Sequence, residues 1–282
     1  MTDSVIRDHE VSTKELTLYF CLTIGLAAIY VLGISTFVEP GVGRAATRAW
    51  YSDQALVIIW TPLISAVVCA AIFRGKSGLT KLWNRLCRWR VGWLWWCAAF
   101  TLPVAINLAA MWVTNSAQPI SVPEMLSIWV GIFPFLFMVM LGEEVGWRGY
   151  ALPALQGKMT PFAATAFLGV LWGCWHYPVW YGLFLGINPD PGLAAILTAA
   201  NTLNTIGLAF LFTWIANNTG ASILLATAMH AANNATLRLF ADSDSGAPQL
   251  TAYVLTLVIA AVLVLRFKAT FFQPVPQRTE AI

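Results

Sequence analysis

This sequence predicts an all-α fold, a polytopic membrane helix bundle of about eight transmembrane helices. Three observations carry that expectation. Hydrophobic residues make up 59% of the 282-residue chain and charged residues 10%. A soluble domain carries roughly a quarter charged residues, so this chain cannot cover itself for water. Apolar runs of membrane-crossing length recur along the whole chain. Lys and Arg are shared unevenly among the segments that join them.

The elements follow in order. Residues 1–15 mix acids and bases, and the run at 16–38 is too long for the apolar core of a cleavable signal, so it reads as a first span. The second run is 54–73. Residues 74–90 hold the densest basic stretch, with Trp83 and Trp89. That stretch is either an amphipathic segment lying on anionic lipid or an ordinary positive-inside loop. The third run, 91–114, carries Asn107, and the fourth, 125–142, runs into two adjacent acids. The fifth, 162–187, contains His176. The sixth, 192–216, carries Asn201, Thr202, Asn204 and Thr205, side chains expected to bond between helices. The seventh, 219–237, contains His230, Asn233 and Asn234, and the eighth, 248–265, is the shortest. No joining segment is long enough for a soluble domain, so residues 1–282 read as a single membrane domain. Its partners are then membrane lipids and whatever reaches the site from the bilayer. With the N-terminus inside, 13 of the 16 Lys and Arg fall on the inner side and 3 on the outer, which places both termini in the cytoplasm.

Composition excludes other classes. A net charge of +3 is too small for a nucleic-acid binder, and neither a phosphate loop nor an RNA or DNA module occurs. The cysteines Cys21, Cys69, Cys87, Cys97 and Cys174 form no Cys-x-x-Cys pair, and four lie in apolar runs. They read as small core or lipid-facing residues rather than disulfide or thiolate-zinc partners.

The chemistry lies in the polar residues buried among these runs, where ionisable groups are costly. In Leu141-Gly-Glu143-Glu144-Val-Gly-Trp-Arg148, a helix puts Glu144 and Arg148 at i, i+4, the favourable order for an ion pair. Glu143 lies about 100° away around the helix, unpaired and available as a general base. Gly142 and Gly146 share a face, which lets another helix pack closely. His176 lies mid-run with Trp172 four residues before it as a shelf for the ring. His230 and Asn234, also i, i+4, project from one face as two donors suited to an oxyanion, while Asn233 points away. Each of these residues also admits a structural reading, as a helix end or as polar glue between helices. Together Glu143, His176, His230 and Asn234 suffice for water-driven hydrolysis of an amide. Glu143 with His176 and His230 also forms the His2Glu set that holds catalytic zinc. The His-Glu-x-x-His spacing of soluble zinc proteases is absent, so spacing leaves zinc open without requiring it.

These three motifs resemble the CPBP family of intramembrane proteases, which includes the type II CAAX prenyl endopeptidases and bacteriocin-immunity-type proteins. The family pattern is Glu-Glu-x-x-x-Arg, then Phe-x-x-x-His, then His-x-x-x-Asn or Asp. Here it is met by Glu143-Glu144-Val-Gly-Trp-Arg148, by Trp172-Gly-Cys-Trp-His176 with Trp for Phe, and by His230-Ala-Ala-Asn233-Asn234. The resemblance covers residues 125–240. It implies an eight-helix endopeptidase with a catalytic core in 125–240, its site sunk in the bundle and open to the cytosolic side of a bacterial or archaeal plasma membrane. The substrate would be a membrane-embedded or lipidated peptide, prenylated CAAX-type among the candidates. By resemblance Glu143 activates water, His176 orders it, and His230 and Asn234 bind the oxyanion. Glu144, Arg148 and Trp172 support the site. The family is described both as metalloproteases and as glutamate proteases, and the donor role of His230 favours a site without tightly bound metal. Two other readings stand beside this one: a non-catalytic scaffold or immunity protein of the same family, and a small proton-coupled transporter. The four intact site residues oppose the first, and the lack of internal repeats the second.

Overall fold

The computed structural model describes residues 11–37, 53–116, 121–238 and 246–273, and every regular element among them is helical. The helices are α1 (Thr13–Phe37), α2 (Thr61–Leu86), α3 (Trp93–Val113), α4 (Val122–Gly146), α5 (Leu152–Gln156), α6 (Pro161–Ile187), α7 (Pro191–Asn218), α8 (Ile223–Leu237), α9 (Ala247–Arg266) and α10 (Lys268–Phe272). A π-helical turn, Trp147–Ala151, joins α4 to α5. The helix starts follow local rules. Ser121, Thr160, Asp190 and Ser222 each accept backbone N–H groups as N-caps, and three of the four are followed by a proline in the first turn.

Each of the eight apolar runs is helical. Six of the helical stretches, among the described residues, are long and apolar enough to cross a bilayer. The other two depart for different reasons. α6 has the length, 27 residues, but its Trp, Tyr, His and Pro dilute the apolar content. α8 has only 15 residues, about 22 Å of helix against a hydrocarbon core of roughly 30 Å. It does not need to face lipid. Every residue of α8 except Leu224, Asn234 and Leu237 is buried.

The packing order explains that burial. α1 lies on α2, α2 on α4, α4 on α8, α8 on α3, α3 on α9, α9 on α7, and α7 on α6, which returns to α1. Outward positions are apolar. Ile29, Leu32, Val130, Val258 and Leu265 are all more than half exposed, a surface suited to lipid and not to water. The close approach expected at Gly142 and Gly146 is present. A Cβ on Gly142 would lie 2.6 Å from the Ile59 carbonyl oxygen, and one on Gly146 would lie 2.4 Å from Pro62. The neighbour is thus the start of α2 and the turn before it. The basic stretch is also helical: α2 continues to Leu86 past a break at Gly75, whose φ of 58° and ψ of −141° suit glycine. Trp83 and Trp89 are exposed.

Candidate active site

α4 and α8 run against each other with a register visible in two contacts one helical turn apart. His230 Nδ1 meets Glu144 Oε1 at 2.8 Å, and Asn234 Nδ2 donates to Met140 Sδ at 3.2 Å. Steps of four residues on both helices, in opposite directions, keep one face against one face. α6 supplies His176 and Trp172 to the same place.

The two acids are treated differently, as their separation around the helix requires. Glu144 is fully buried, and its Oε1 accepts from Arg148 Nη1 at 2.9 Å as well as from His230. The guanidinium of Arg148 is sandwiched between rings, 4.0 Å from the centroid of Trp172 and 4.2 Å from that of Phe212. Cation–π attraction is strong where water is excluded. It offsets a deficit, because Arg148 Nε and Nη2 and Glu144 Oε2 lack hydrogen-bond partners among the described residues. Behind this motif the Gly149 carbonyl, within the π-turn, accepts from Arg85 Nη1 at 2.7 Å. Such turns concentrate at functional sites. A Cβ on Gly149 would come within 2.5 Å of Ile223 Cδ1, so the glycine lets the start of α8 close in.

Glu143 is also buried, at 2% exposure, but it is not left without a partner as the sequence suggested. Trp172 Nε1 donates to its Oε2 at 2.5 Å. Trp172 therefore does more than shelve His176: its N–H holds one acid while its ring face holds the cation of the other. Oε1 of Glu143 faces His176 Nε2 at 3.9 Å. The tautomer of His176 follows from its other nitrogen, since Nδ1 lies 2.9 Å from the Trp172 carbonyl, which only accepts. Nδ1 carries the proton, and Nε2 presents its lone pair toward Glu143. The ring is stacked on Trp180 with centroids 4.2 Å apart and planes within 1°.

His230 obeys the same logic. Glu144 Oε1 accepts from Nδ1, which turns the opposite ring nitrogen, Nε2, away from that carboxylate. Asn234 does not touch His230. It sits one turn further along α8, half-buried, with its amide nitrogen on Met140. Asn233 meets a neighbouring helix, accepting from Asn107 Nδ2 of α3 at 3.1 Å, but it also donates to Asn234 Oδ1 at 3.1 Å. Asn233 is thus tied to Asn234 instead of pointing clear of it.

Three features escaped the sequence reading. Phe212 had no signal, being one aromatic in an ordinary apolar run. The donor role of Trp172 was hidden because Phe, which has no N–H, is common at that position in the family resembled. A third buried acid, Glu15, stood at the edge of the first run: its carboxylate accepts from Arg74 Nε at 2.9 Å and from the Tyr150 hydroxyl at 2.6 Å.

The donor set meets the needs of a zinc site only in part. Both imidazoles hold Nδ1 on an acceptor and turn Nε2 forward, which is how a zinc-ligating histidine is oriented. The third ligand does not fit. One oxygen of Glu143 is taken by Trp172 and the other stands 3.9 Å from Nε2. Among the described residues no three His, Cys, Asp or Glu side chains are grouped to hold a metal ion.

Comparison with known proteins falls on this part of the chain. The family model for type II CAAX prenyl endopeptidase Rce1-like proteins matches residues 125–236, the stretch that carries all three motifs. CAAX prenyl protease 2 of Methanococcus maripaludis (strain S2) is 28% identical over 161 residues, 50% of this chain and 52% of that protein. The match thus spans about half the length of the curated relative. Residues 125–236, whose three motifs converge where α4, α6 and α8 meet, are thus similar to the Rce1-like type II CAAX prenyl endopeptidases.

Proposed function

We propose that this protein is an intramembrane endopeptidase that hydrolyses a peptide bond of a membrane-associated substrate with water activated by Glu143. One observation carries this reading. The Glu143 carboxylate faces the lone pair of His176 Nε2 at 3.9 Å, while the adjacent Glu144 is separately held by Arg148 and His230. Two hydrogen bonds of about 2.8 Å let one water donate to both Oε1 and Nε2. One of its two lone pairs then points at the scissile carbonyl carbon. Glu143 takes the proton as the C–O bond forms, and returns it to the leaving amine as the C–N bond breaks. Asn234 Nδ2 and, when it carries a proton, His230 Nε2 donate to the oxyanion that develops between these events.

The substrate class proposed is a lipidated peptide of CAAX type. An apolar cavity of about 470 Å³ supports it, lined by Leu63, Val67, Leu82, Trp83, Leu86 and Val145. Val145, the residue after Glu144 in the chain, is part of its lining. The test is cleavage of a peptide panel by the purified protein in lipid, with a farnesylated and an unmodified member, each with and without a chelator. Wild-type protein cleaves the farnesylated peptide faster. Glu143→Gln keeps the folded yield and loses turnover by about 10²–10⁴-fold, the range for a lost general base. An active Glu143→Gln protein removes the base assignment, and loss of activity with chelator alone moves the metal reading ahead.

A further inference from the structure

Asn107 lies outside all three motifs, on α3, and is 2% exposed. Its amide nitrogen donates twice, to the Pro103 carbonyl at 2.8 Å and to Asn233 Oδ1 at 3.1 Å. Asn233 Nδ2 donates to Asn234 Oδ1 at 3.1 Å, and Asn234 Nδ2 donates to Met140 Sδ at 3.2 Å. The three amides are aligned head to tail across α3, α8 and α4.

An amide can rotate by 180° about its last bond, exchanging a donor for an acceptor at nearly the same position. An isolated Asn234 would have little reason to present NH2 rather than C=O to a reacting group. Here the direction is set at the far end. The Pro103 carbonyl is a backbone acceptor and cannot turn into a donor, so Asn107 must place its NH2 there and toward Asn233. Asn233 must then answer with its oxygen, which turns its NH2 to Asn234. Asn234 must in turn accept, which leaves its own NH2 facing forward. One of those two hydrogens rests on Met140, a weak acceptor, and the second is available. Reversing any amide in the chain opposes two oxygens or two nitrogens in a buried setting, where unmet polar groups cost most.

We infer that Asn107 is a positioning residue whose amide, acting through Asn233, fixes Asn234 with its nitrogen forward as a hydrogen-bond donor to the reaction. This rests on the proposed oxyanion role of Asn234 and deepens it. It also reverses the sequence-level expectation for Asn233, whose removal cuts the relay at its middle.

The test uses the full chain in lipid and a farnesylated fluorogenic peptide. Single-turnover rate and peptide binding are measured for Asn107→Asp, Asn233→Ala and Asn234→Ala, and for each of the first two combined with Asn234→Ala. Folded yield is followed throughout. Asn234→Ala is expected to lose about 100- to 1000-fold in rate, the usual cost of one oxyanion donor. Asn107→Asp keeps the shape but offers at most one O–H where the amide nitrogen serves two acceptors, and Asn233→Ala breaks the link. Each is expected to lose roughly tenfold or more in rate with binding within about twofold, because the interaction strengthens only in the transition state. Neither should slow the Asn234→Ala protein further, since residues acting through one group are non-additive. A merely structural Asn107 would instead lower folded yield and multiply its loss onto that of Asn234→Ala, which overturns the inference. Should Asn107→Asp fail to fold, Asn233→Ala asks the same question from the middle of the relay. Asn234→Ala crippled while Asn107→Asp and Asn233→Ala cleave at the wild-type rate defeats the relay alone. Asn234→Ala as fast as wild type defeats the oxyanion reading and the relay with it. Wild-type protein that cleaves no peptide defeats the proposed function.

Discussion

At the scale of single residues, the adjacent acids Glu143 and Glu144 differ because the helix turns them to different neighbours. Glu144 is ion-paired with Arg148 and hydrogen-bonded by His230, and Arg148 is held by two aromatic rings. Arg148→Ala strands a buried carboxylate and is expected to lower stability by about 3–5 kcal/mol, read as a fall in folded yield and Tm. Trp172 serves both acids and can be dissected. Trp172→Phe keeps a ring under Arg148 and removes only the N–H to Glu143, so folded yield should hold. Trp172→Ala also removes the ring face and should cost about 3–5 kcal/mol. Equal loss of folded protein in the two variants would show that the N–H to Glu143, and not the ring face, is what the fold needs.

At the scale of elements, the site depends on how closely α2 and α8 approach the end of α4. Gly146 has no room for a Cβ, with Pro62 at 2.4 Å, whereas nothing lies within 4 Å of a Cβ at Gly131 on the same helix. Gly146→Ala should therefore cost about 1–3 kcal/mol by overpacking and reduce cleavage, since it pushes α2 away beside Glu143. Gly131→Ala should leave Tm unchanged or raise it by up to about 1 kcal/mol in stability, the usual gain of Ala over Gly in a helix. Thermal unfolding of both variants in the same lipid decides it. A tolerated Gly146→Ala would mean that the α2–α4 contact is loose and does not position the acid.

For the whole molecule, the basic residues set the direction of insertion. The 13 to 3 division of Lys and Arg predicts cytoplasmic termini. Ser121, the N-cap of α4, and Lys158, just beyond α5, flank the continuous apolar stretch Val122–Gln156. Reporter fusions at those two positions should read opposite sides of the membrane, with Lys158 cytoplasmic. Two reports from one side would mean that this stretch enters and leaves by the same face, and would move the active site to the other side.

Some of this was legible in the chain alone, because it depends on contacts within one helix. Apolar runs announce spans, since lipid demands satisfied backbones and apolar side chains. The pairing of Glu144 with Arg148 is a matter of i, i+4 geometry, and the motifs at 143, 176 and 230 pointed to residues that the fold brings together. Contacts between helices were not legible, because their register and rotation are set by packing and leave no periodic trace. Only the folded protein joined His230 to Glu144, turned the Trp172 N–H onto Glu143, sandwiched Arg148 against Phe212, and buried Glu15 with Tyr150, 135 residues away. The same holds for the amides. Asn107 and Asn233 read as separate polar residues along the chain, and became one directed line of hydrogen bonds only when α3 was packed against α8.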